Sequence, residues 1–346
     1  MEMARCFFVP PHMLGHIASV EARDSLEPGP AQRTALVSQR LRDDRRRQRL
    51  DLAATLAVTP PLPNVGARTI YDDQNTWNFD VPPPVRNEGD GEVAQQNANL
   101  AYDYLGATRD FYHQVFGRNS IDNQGMLLNG NVNFGVDFDN AFWDGQRMVF
   151  GNGDNVIFTD FTNDIDVAAH ELTHGVTQHT AGLNYGNDQT GALNESFSDM
   201  FGTAVDAWFN KKDFGEHDFT IGEGVMAPQL FGEAIRSMSE PGTAYDNPVL
   251  GKDPQPRDMS GYVPGGDPHL NSGIPNRWFW LVCREIGITD ATRIMYQTLL
   301  NLWPTAVFSD AADVAAFQAR ILARDKHVHS QAAQVIRGAA REQGMI

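Results

Sequence analysis

The five residues His-Glu-Leu-Thr-His at positions 170–174 constrain this chain more than any other feature of its sequence. They lie in a run, 167–176, whose apolar residues recur with helical period, so we predict that they belong to one helix. Histidines four residues apart lie on one helix face, about 5.4 Å apart along the axis, which lets both imidazoles reach one Zn²⁺. Glu171 projects about 100° round the helix from His170 and is predicted to face the attacking water instead.

A motif this short also occurs by chance, as two ordinary surface histidines, so a zinc site needs support from a third ligand elsewhere in the sequence. The helical run at 191–199 offers Glu195, and Asp199 follows one turn later. Three protein ligands leave one position for water, as in catalytic zinc, whereas structural zinc usually has four ligands that include cysteine. Asp199 has the type and spacing to accept the second ring N–H of a ligating histidine. The sequence therefore predicts two helices that meet at one zinc ion.

Helical and strand-like patterns divide the chain into three parts. Residues Ala31 to Ala57 contain no Gly or Pro and predict one helix, and the Pro-rich stretch 58–66 predicts a linker. Residues 69–165 mix short β-branched and aromatic runs with turn signals, which predicts a mainly β lobe with one helix, Val93 to Phe116. The rest predicts a mainly helical lobe and a cleft between the lobes, with helices at Val167–Thr180, Leu193–Asn210, Asn276–Leu302 and Ala311–Glu342.

The acidic charge of the chain is unevenly distributed. The net charge is −17, yet residues 1–50 carry nine basic and six acidic residues, which leaves an excess of 20 negative charges on residues 51–346. A body this acidic repels nucleic-acid phosphates. The one basic run, Arg40 to Arg49, is interrupted by Asp43 and Asp44 and indicates a solvated helix face or a segment sensitive to processing rather than a nucleic-acid site.

The sequence shows neither a membrane span nor a targeting signal. No window approaches roughly 18 consecutive apolar residues, and Pro10 and Pro11 interrupt the N-terminus before a secretory apolar region forms. We therefore expect cytoplasmic synthesis without a signal peptide or anchor, and export, if there is any, by a non-classical route. Two cysteines, Cys6 and Cys283, are too few for a disulfide framework, and Cys283 lies in an apolar run that predicts a core position.

Together these motifs resemble the thermolysin family of metalloendopeptidases, and the resemblance covers most of residues 68–346. Residues 140–151, Asn-Ala-Phe-Trp-Asp-Gly-Gln-Arg-Met-Val-Phe-Gly, are similar to the family's edge strand beside the cleft. The resemblance implies that Asn140 and the backbone of Ala141 bind substrate as an added strand, with Phe142 and Trp143 on the wall. It also implies a two-lobed, thermolysin-like α+β fold.

Further segments extend the resemblance to residues that act on substrate. Residues 234–241 match the family segment whose arginine, here Arg236, contacts the carbonyl beside the scissile bond. Residues 269–276 match the segment whose histidine, here His269, stabilises the developing oxyanion, and Tyr185 falls where the family keeps a second donor. The reaction implied is hydrolysis of internal peptide bonds by metal-activated water, with Glu171 as general base. The pocket for a bulky hydrophobic residue after the cut is implied to comprise Phe158, Phe161, Val167, Ile221, Val225 and Ile235.

The resemblance also implies a calcium site. Four acidic residues align with family carboxylates that hold calcium beside the zinc helices, and because Thr220 replaces a further glutamate we expect one ion rather than a pair. The alternative is an acidic surface without metal. In the family an acid five residues before the oxyanion histidine orients it, but Pro264 occupies that position here, and Asp267 is the nearest candidate. The four acidic residues are Asp166, Asp206, Asp218 and Glu223.

Residues 1–60 resemble the short prosegment of the protealysin-type branch of the family, and we refer to them as the prosegment. We hypothesise that they form a removable intramolecular inhibitor, cut between Arg49 and Arg68. An N-terminal catalytic lobe with the zinc-binding helix would then span residues 61–180, and a helical C-terminal lobe residues 181–346. Cys6 could block the zinc as a thiolate, but the sequence favours a small buried or incidental cysteine.

Two other functions are alternatives to an active protease. A catalytically silent homologue would bind peptides in the same cleft, but the chain keeps Glu171 and all three ligands. A structural zinc module would need a fourth ligand, usually cysteine, and this site offers three ligands and no cysteine. We expect a peptide or protein substrate, and a monomer.

Overall fold

The computed structural model of the protein describes residues 6–24, 27–52 and 66–346, with residues 43–52 described for their backbone alone. Most of the predicted linker and of the predicted cleavage window, Arg49 to Arg68, lies outside these ranges, as does the predicted helix end at Ala57. No helix in the described ranges is long and apolar enough to cross a bilayer.

The described part of the prosegment is one short strand followed by two helices that pack against each other, β1 (Cys6–Phe7), α1 (Pro11–Asp24) and α2 (Pro30–Leu52). The sequence predicted α2 but not α1. Proline is favourable at the first helical position because its missing N–H would have no partner there, so Pro11 begins α1 rather than preventing it. Met13, Leu14 and Ile17 of α1 are buried, which fixes this helix on the body of the protein.

A six-stranded mixed sheet forms the N-terminal lobe, in the order β1-β5-β6-β4-β2-β3. β4 runs parallel to β2 and to β6, and the other neighbours are antiparallel. Helix α3 (Gln96–Phe116) packs on β2 and β4. The prosegment strand β1 covers β5, the strand that would otherwise be an edge. The strands are β2 (Arg68–Asp72), β3 (Arg86–Asn87), β4 (Leu128–Val132), β5 (Ala141–Trp143) and β6 (Arg147–Phe150).

Helices α4 (Ile165–Gln178) and α5 (Gln189–Asn210) pack against each other and carry the predicted metal ligands. Their N-termini are capped by Asp164, which accepts from the Asp166 amide at 3.0 Å, and Asp188, which accepts from the Gly191 amide at 2.9 Å. Residues 165–177 of α4 are all buried, so its polar side chains need partners inside the protein.

The C-terminal lobe is mainly helical, with three-residue 3₁₀ turns and two small strand pairs, and the two-lobed α+β fold predicted above is confirmed. The short strands form two antiparallel pairs. They are β7 (Thr220–Ile221), β8 (Arg236–Ser237), β9 (Asp246–Asn247) and β10 (Gly251–Lys252). The helices are α6 (Pro268–Asn271), α7 (Gly273–Ile286), α8 (Ile288–Asn301), α9 (Phe308–Arg324) and α10 (Ala332–Glu342).

Two predicted helices are each two helices in the structure. The predicted helix Asn276–Leu302 is broken between α7 and α8 at Gly287, whose φ of 81° is outside the helical region. The predicted helix Ala311–Glu342 ends at Arg324 and resumes at Ala332, with Lys326 at a φ of 61° between them. Both predictions were wrong because continuous apolar periodicity was read across residues that turn the chain.

One hydrophobic core joins the prosegment to both lobes. Phe8, Val9, Met13, Leu14 and Ile17 belong to the same buried cluster as the apolar residues of α4, α5 and α7. The prosegment is therefore packed into the molecule as core and not laid on its surface.

Candidate metal centre and substrate cleft

Helices α4 and α5 bring three predicted ligands to one point. The Nε2 atoms of His170 and His174 lie 3.0 Å apart. The carboxylate of Glu195 lies 3.4 Å from His170 Nε2 and 3.5 Å from His174 Nε2. Ligand atoms at roughly 2.0–2.1 Å from a tetrahedral zinc ion are about 3.3 Å from one another. The triangle of two nitrogens and one carboxylate therefore has the dimensions of a zinc site.

Hydrogen bonds at the other ring nitrogens fix the histidine tautomers. His170 Nδ1 lies 2.8 Å from Asp199 Oδ1, and His174 Nδ1 lies 2.9 Å from Asn194 Oδ1. The Asn194 amide nitrogen donates to the Leu183 carbonyl at 3.0 Å, which assigns its oxygen to His174. Each Nδ1 thus donates, and the two Nε2 atoms face each other 3.0 Å apart. Two bare lone pairs at this distance would repel, so a cation lies between them, either a proton on His170 or a metal ion held by both rings.

The charge of the centre also suits a dication. Three fully buried carboxylates meet there, those of Glu171, Glu195 and Asp199. Arg236 is the buried guanidinium that faces them, so with neutral imidazoles the formal charge is two minus. Glu195 Oε2 has no hydrogen-bond partner among the described residues. A buried carboxylate oxygen without a hydrogen bond, beside two imidazole Nε2 atoms, is a ligand set for zinc.

The pKa values of the two histidine ligands shift in opposite directions. Burial alone would lower the pKa of His170, but its contacts with Asp199 and Glu195 raise it to about 9. Burial lowers the pKa of His174 to about 3, even though Glu195 acts in the opposite direction. His174 is therefore neutral and able to bind metal at any physiological pH.

Glu171 is fully buried next to the ligands and faces the cleft strand. Its Oε2 accepts a 2.8 Å hydrogen bond from the Trp143 amide of β5, and its Oε1 has no partner among the described residues. Burial raises the pKa of Glu171 to about 8. A dication at the ligands would lower that pKa again, which would leave a carboxylate able to take a proton from water. The contact with the Trp143 amide was not predicted, because almost every residue has a backbone N–H and the sequence does not show which one is a donor to Glu171.

Asp199 links the ligands to the substrate side of the cleft. Besides His170 it accepts from Arg236 Nε and Nη2, both at 2.8 Å, and from the Asn276 amide at 2.8 Å. Burial would raise its pKa, but Arg236 and His170 hold the pKa of Asp199 at about 2. The sequence predicted a link from Asp199 to a histidine but missed its bonds with Arg236 and Asn276.

The structure identifies an orienting partner for His269. His269 Nδ1 lies 2.7 Å from Asp267 Oδ1, the nearest acid in sequence. Burial would lower the pKa of His269, but the carboxylates of Glu195 and Asp267 raise it, which favours the ring with both nitrogens protonated. The Tyr185 hydroxyl lies beside the same ring and donates to Glu195 Oε1. Tyr185 is thus at the centre, but its donor is directed at a predicted ligand and not at a peptide carbonyl.

The prosegment strand occupies the cleft as an added strand on β5. Phe7 pairs with Phe142, and the Phe8 amide donates to the Ala141 carbonyl at 3.0 Å. The side chain of Asn140 accepts from the Val9 amide at 2.7 Å and donates to the Val9 carbonyl at 3.2 Å. The residues predicted to bind substrate as a strand therefore bind residues 7–9 of the chain itself.

The carbonyls of Phe7 and Phe8 meet the two groups predicted to bind substrate carbonyls. His269 Nε2 lies 2.8 Å from the Phe7 carbonyl oxygen, and Arg236 Nη1 donates to the Phe8 carbonyl at 3.0 Å. The peptide bond between these residues thus crosses the centre in the orientation that the family resemblance implies for a substrate.

The six residues predicted to form the pocket are all buried, at 0–1% exposure. The Phe8 ring is fully buried as well and lies edge-on to His170, with ring centroids 5.2 Å apart. A Cβ built on Gly222 would come within 2.9 Å of both the Phe8 ring and the Ile235 side chain, so a side chain at position 222 would crowd this pocket. Phe8 therefore lies beside the predicted pocket residue Ile235.

The four predicted calcium ligands line one open cavity of about 620 Å³, together with Asp164. Asp166 Oδ1 is buried without a hydrogen-bond partner among the described residues, and burial together with Asp164, Asp206 and Asp218 raises the pKa of Asp166 well above its usual range. Asp206 already has two nitrogen neighbours, His217 Nε2 at 2.9 Å and the ammonium of Lys212 at 3.3 Å. The acidic groups are gathered as predicted, but one of them is partly neutralised.

Sequence and structure comparisons agree on the family. The family models described as thermolysin metallopeptidase, catalytic domain, and thermolysin metallopeptidase, alpha-helical domain, match residues 38–178 and 181–344. An extracellular metalloprotease of Pectobacterium carotovorum is 49% identical over 224 residues, 63% of this chain and 64% of that protein. A thermolysin of Alicyclobacillus acidocaldarius is 39% identical over 253 residues, 69% of this chain and 44% of that protein. The chain thus spans slightly less than two thirds of the first relative and under half of the second.

Among solved structures, the precursor of protealysin, a metalloproteinase from Serratia proteamaculans, matches with a TM-score of 0.83 and 40% identity over 99% of this chain and 100% of that chain. That match includes the strand and the helices ahead of the body. The protein belongs to the thermolysin family of metallopeptidases and is similar in its whole length to a precursor of that family.

Proposed function

We propose that this protein is the precursor of a zinc-dependent endopeptidase that cuts internal peptide bonds on the N-terminal side of bulky hydrophobic residues. The observation that carries the proposal is the pair of His Nε2 atoms, 3.0 Å apart around one cation position, with Glu195 completing the triangle. Family membership supports it. His170, His174 and Glu195 would hold one catalytic zinc ion, and Asp199 would orient His170.

The residues around the centre divide the work of hydrolysis. Zinc, when bound, polarises the substrate carbonyl and lowers the pKa of water toward roughly 7. Glu171, held by the Trp143 amide, takes the proton of the attacking water and returns it to the leaving amine. His269 donates to the developing oxyanion and Arg236 holds the next carbonyl, each through an atom that now binds the prosegment. Tyr185 would join as a donor once its hydroxyl turns from Glu195.

The preference for a bulky hydrophobic residue is supported by Phe8. In the register of residues 7–9, Phe8 holds the place of the residue after the scissile bond, and its ring is fully buried. Apolar pockets separate side chains by size only modestly, about 1–3 kcal/mol per methylene, so Leu, Ile and Phe would all be accepted.

The prosegment would act as an intramolecular inhibitor. It contributes backbone bonds to Ala141 and Asn140, carbonyls to His269 and Arg236, and a buried ring beside His170. A substrate needs those same positions. Removal by a cut between Arg49 and Arg68 would free them, although these residues lie largely outside the described ranges.

We extend the proposal to one structural calcium ion among Asp166, Asp206, Asp218 and Glu223. The raised pKa of Asp166 and its unpaired Oδ1 support a cation at this place, because an ion would relieve repulsion among the carboxylates. His217 and Lys212 would compete with it for Asp206. The ion should therefore bind more weakly than it would to four unpaired acids.

A quenched peptide with one internal Xaa-Leu bond tests the proposed activity. The full chain, before and after limited proteolysis of the prosegment, is assayed with and without a zinc chelator, and a matched Xaa-Asp peptide is the control. We expect cleavage of the Leu peptide alone, loss with chelator, and recovery with zinc. A proteolysed, zinc-loaded chain that binds the peptide without cutting it would favour the catalytically silent homologue.

A further inference from the structure

Cys6 lies on the prosegment strand, next to the metal centre and not at a random core position. It pairs with Trp143 across β1 and β5, and only 5% of its surface is exposed. Side chains alternate along a strand, so Cys6 and Phe8 point to the same side. Phe8 lies edge-on to His170, whereas Phe7 packs on Phe142 with ring centroids 4.9 Å apart. The alternation thus directs Cys6 toward the predicted ligands.

Distances agree with the direction. Cys6 Sγ, a ring nitrogen of His174 and a carboxylate oxygen of Glu195 all lie within 4.8 Å of one another, one of the groupings among the described residues that could hold a metal ion. The other two members of this group point to a ligand independently of the cysteine. Glu195 Oε2 is fully buried and has no hydrogen-bond partner among the described residues, and His174 Nε2 presents a lone pair toward His170 Nε2, 3.0 Å away.

We propose that the Cys6 thiolate is the fourth zinc ligand in the uncut chain. This inference rests on the zinc site of the proposed function. Three protein ligands leave one position for a fourth. With zinc–sulfur at about 2.3 Å, the sulfur of a tetrahedral site lies about 3.6 Å from the nitrogen and oxygen ligands. The Cys6, His174 and Glu195 ligand atoms are already within 4.8 Å of one another, so a small approach of β1 completes the set. The thiol gives its proton to solvent as the Sγ–Zn bond forms. When β1 leaves, that bond breaks and water takes the position that hydrolysis requires.

The uncut chain would then be kept inactive in two ways, by the zinc–sulfur bond and by the strand that occupies the cleft. Backbone pairing alone would leave zinc with an open position beside the Phe7–Phe8 peptide bond, which lies across the centre in a substrate-like register. A sulfur ligand fills that position, so the bound strand inhibits and is not itself hydrolysed. The sequence favoured a small buried or incidental cysteine at position 6, whereas this proposal makes Cys6 a zinc ligand.

X-ray absorption at the zinc edge tests the proposal on the full-length chain carrying Glu171→Gln, which keeps the chain uncut. We expect one sulfur at about 2.3 Å among nitrogen and oxygen ligands. Cys6→Ser should lose the sulfur, and Cys283→Ser should keep it, because Cys283 is fully buried in α7 away from the centre. The thiolate-to-cobalt charge-transfer absorption of the cobalt-substituted chain should follow the same pattern.

The outcomes separate this inference from the proposed function. One zinc per chain with only nitrogen and oxygen ligands would overturn the Cys6 ligand and leave the endopeptidase proposal intact. A chain that binds no zinc would overturn both. A second readout uses Cys6→Ala without the Glu171 change: strand pairing uses backbone atoms and should persist, so water can take the open position and the variant should cut its own Phe7–Phe8 bond faster than the parent, as measured by mass spectrometry of the two chains. Equal rates of this cut in the two chains would also count against the ligand.

Discussion

Asp267, the nearest candidate acid in the sequence, is the orienting partner of His269 in the structure. Its carboxylate lies 2.7 Å from His269 Nδ1 and also caps α6 by accepting from the His269 amide at 3.0 Å. Position 264, where the family keeps an orienting acid, is proline in this chain. The orienting acid thus lies two residues before the histidine and not five. A search for an acid at the family position alone would miss it.

Asp267→Asn should reduce kcat by roughly 10- to 100-fold with little change in KM, because it removes the partner that raises the pKa of His269. The protonated ring donates to the oxyanion, so activity is lost as pH rises through the pKa of His269. Lowering that pKa must move the alkaline limb of the pH–rate profile to lower pH. Asp258→Asn is the matched control, since Asp258 caps a short helix in the same way without a histidine ring. An unmoved alkaline limb in Asp267→Asn would contradict the assignment.

Asp199→Asn should weaken zinc binding by roughly 10- to 100-fold, because Asp199 orients the first histidine ligand. It should also lower the melting temperature, since Arg236 would lose the carboxylate that pairs with it inside the protein. Competition with a chromophoric chelator measures the first effect. Asn276→Ala removes one hydrogen bond to the same carboxylate and should have a smaller effect on metal affinity. Equal effects of the two variants would argue against the orienting role.

At the scale of elements, the helices around the metal were predictable and the prosegment helix α1 was not. The run 165–178 shows its period plainly because it is a buried helix whose polar residues include the predicted metal ligands. Helix α1 begins at Pro11. Proline favours the first position of a helix, but in the sequence we interpreted Pro10 and Pro11 as an interruption of regular structure. The breaks at Gly287 and Lys326 were missed because packing of α7 on α8 and α9 on α10 produces a continuous apolar period across each turn.

The hydrogen bonds that complete the site could not be predicted from the sequence, for a different reason. Glu171 is held by a backbone amide of β5, and Asp199 by residues 37 and 77 positions away. A pattern of residue types can propose ligands on one helix, but it carries no information about which distant atoms they meet.

Helix α1 gives the prosegment a pH dependence. His12, 3.2 Å from the Tyr245 hydroxyl, has a pKa lowered to about 4 by burial and by His269, with Arg236 acting in the same direction and Asp267 in the opposite one. An undocked His12 titrates near 6.5, so the docked state binds fewer protons between those values. Docking is therefore strongest above about pH 6.5 and weakens as the pH falls toward 4.

Hydrogen exchange of the Phe8 and Val9 amides, which bond to β5 and Asn140, measures this docking. We expect their protection to fall between pH 7 and pH 5, and His12→Asn to flatten the fall. His16→Asn on the same helix is the control and should leave it unchanged. Protection with the same pH dependence in His12→Asn would show that another group is responsible.

At the scale of the whole molecule, the acidic cavity joins α4 and α5 to the loop that carries Asp218 and Glu223. A calcium ion there should raise the melting temperature. Binding at 100 times Kd stabilises by about 2.7 kcal/mol, and Asp166→Asn should remove most of that gain. Differential scanning calorimetry of the parent chain and of Asp166→Asn, with calcium and with magnesium, measures this rise in melting temperature. A melting temperature indifferent to calcium would mean that His217 and Lys212 satisfy the cluster without an ion.

The central claim is that His170, His174 and Glu195 hold a zinc ion at which Glu171 drives peptide hydrolysis. Zinc content and the rate of Xaa-Leu peptide cleavage, measured on the same preparations after removal of the prosegment, test it most directly. The account predicts one zinc and cleavage in the parent chain, one zinc and a rate lower by at least about 10²-fold in Glu171→Gln, and neither zinc nor cleavage in His174→Ala. A zinc-loaded parent chain that does not cleave, or a Glu171→Gln variant that cleaves as fast as the parent, would contradict it.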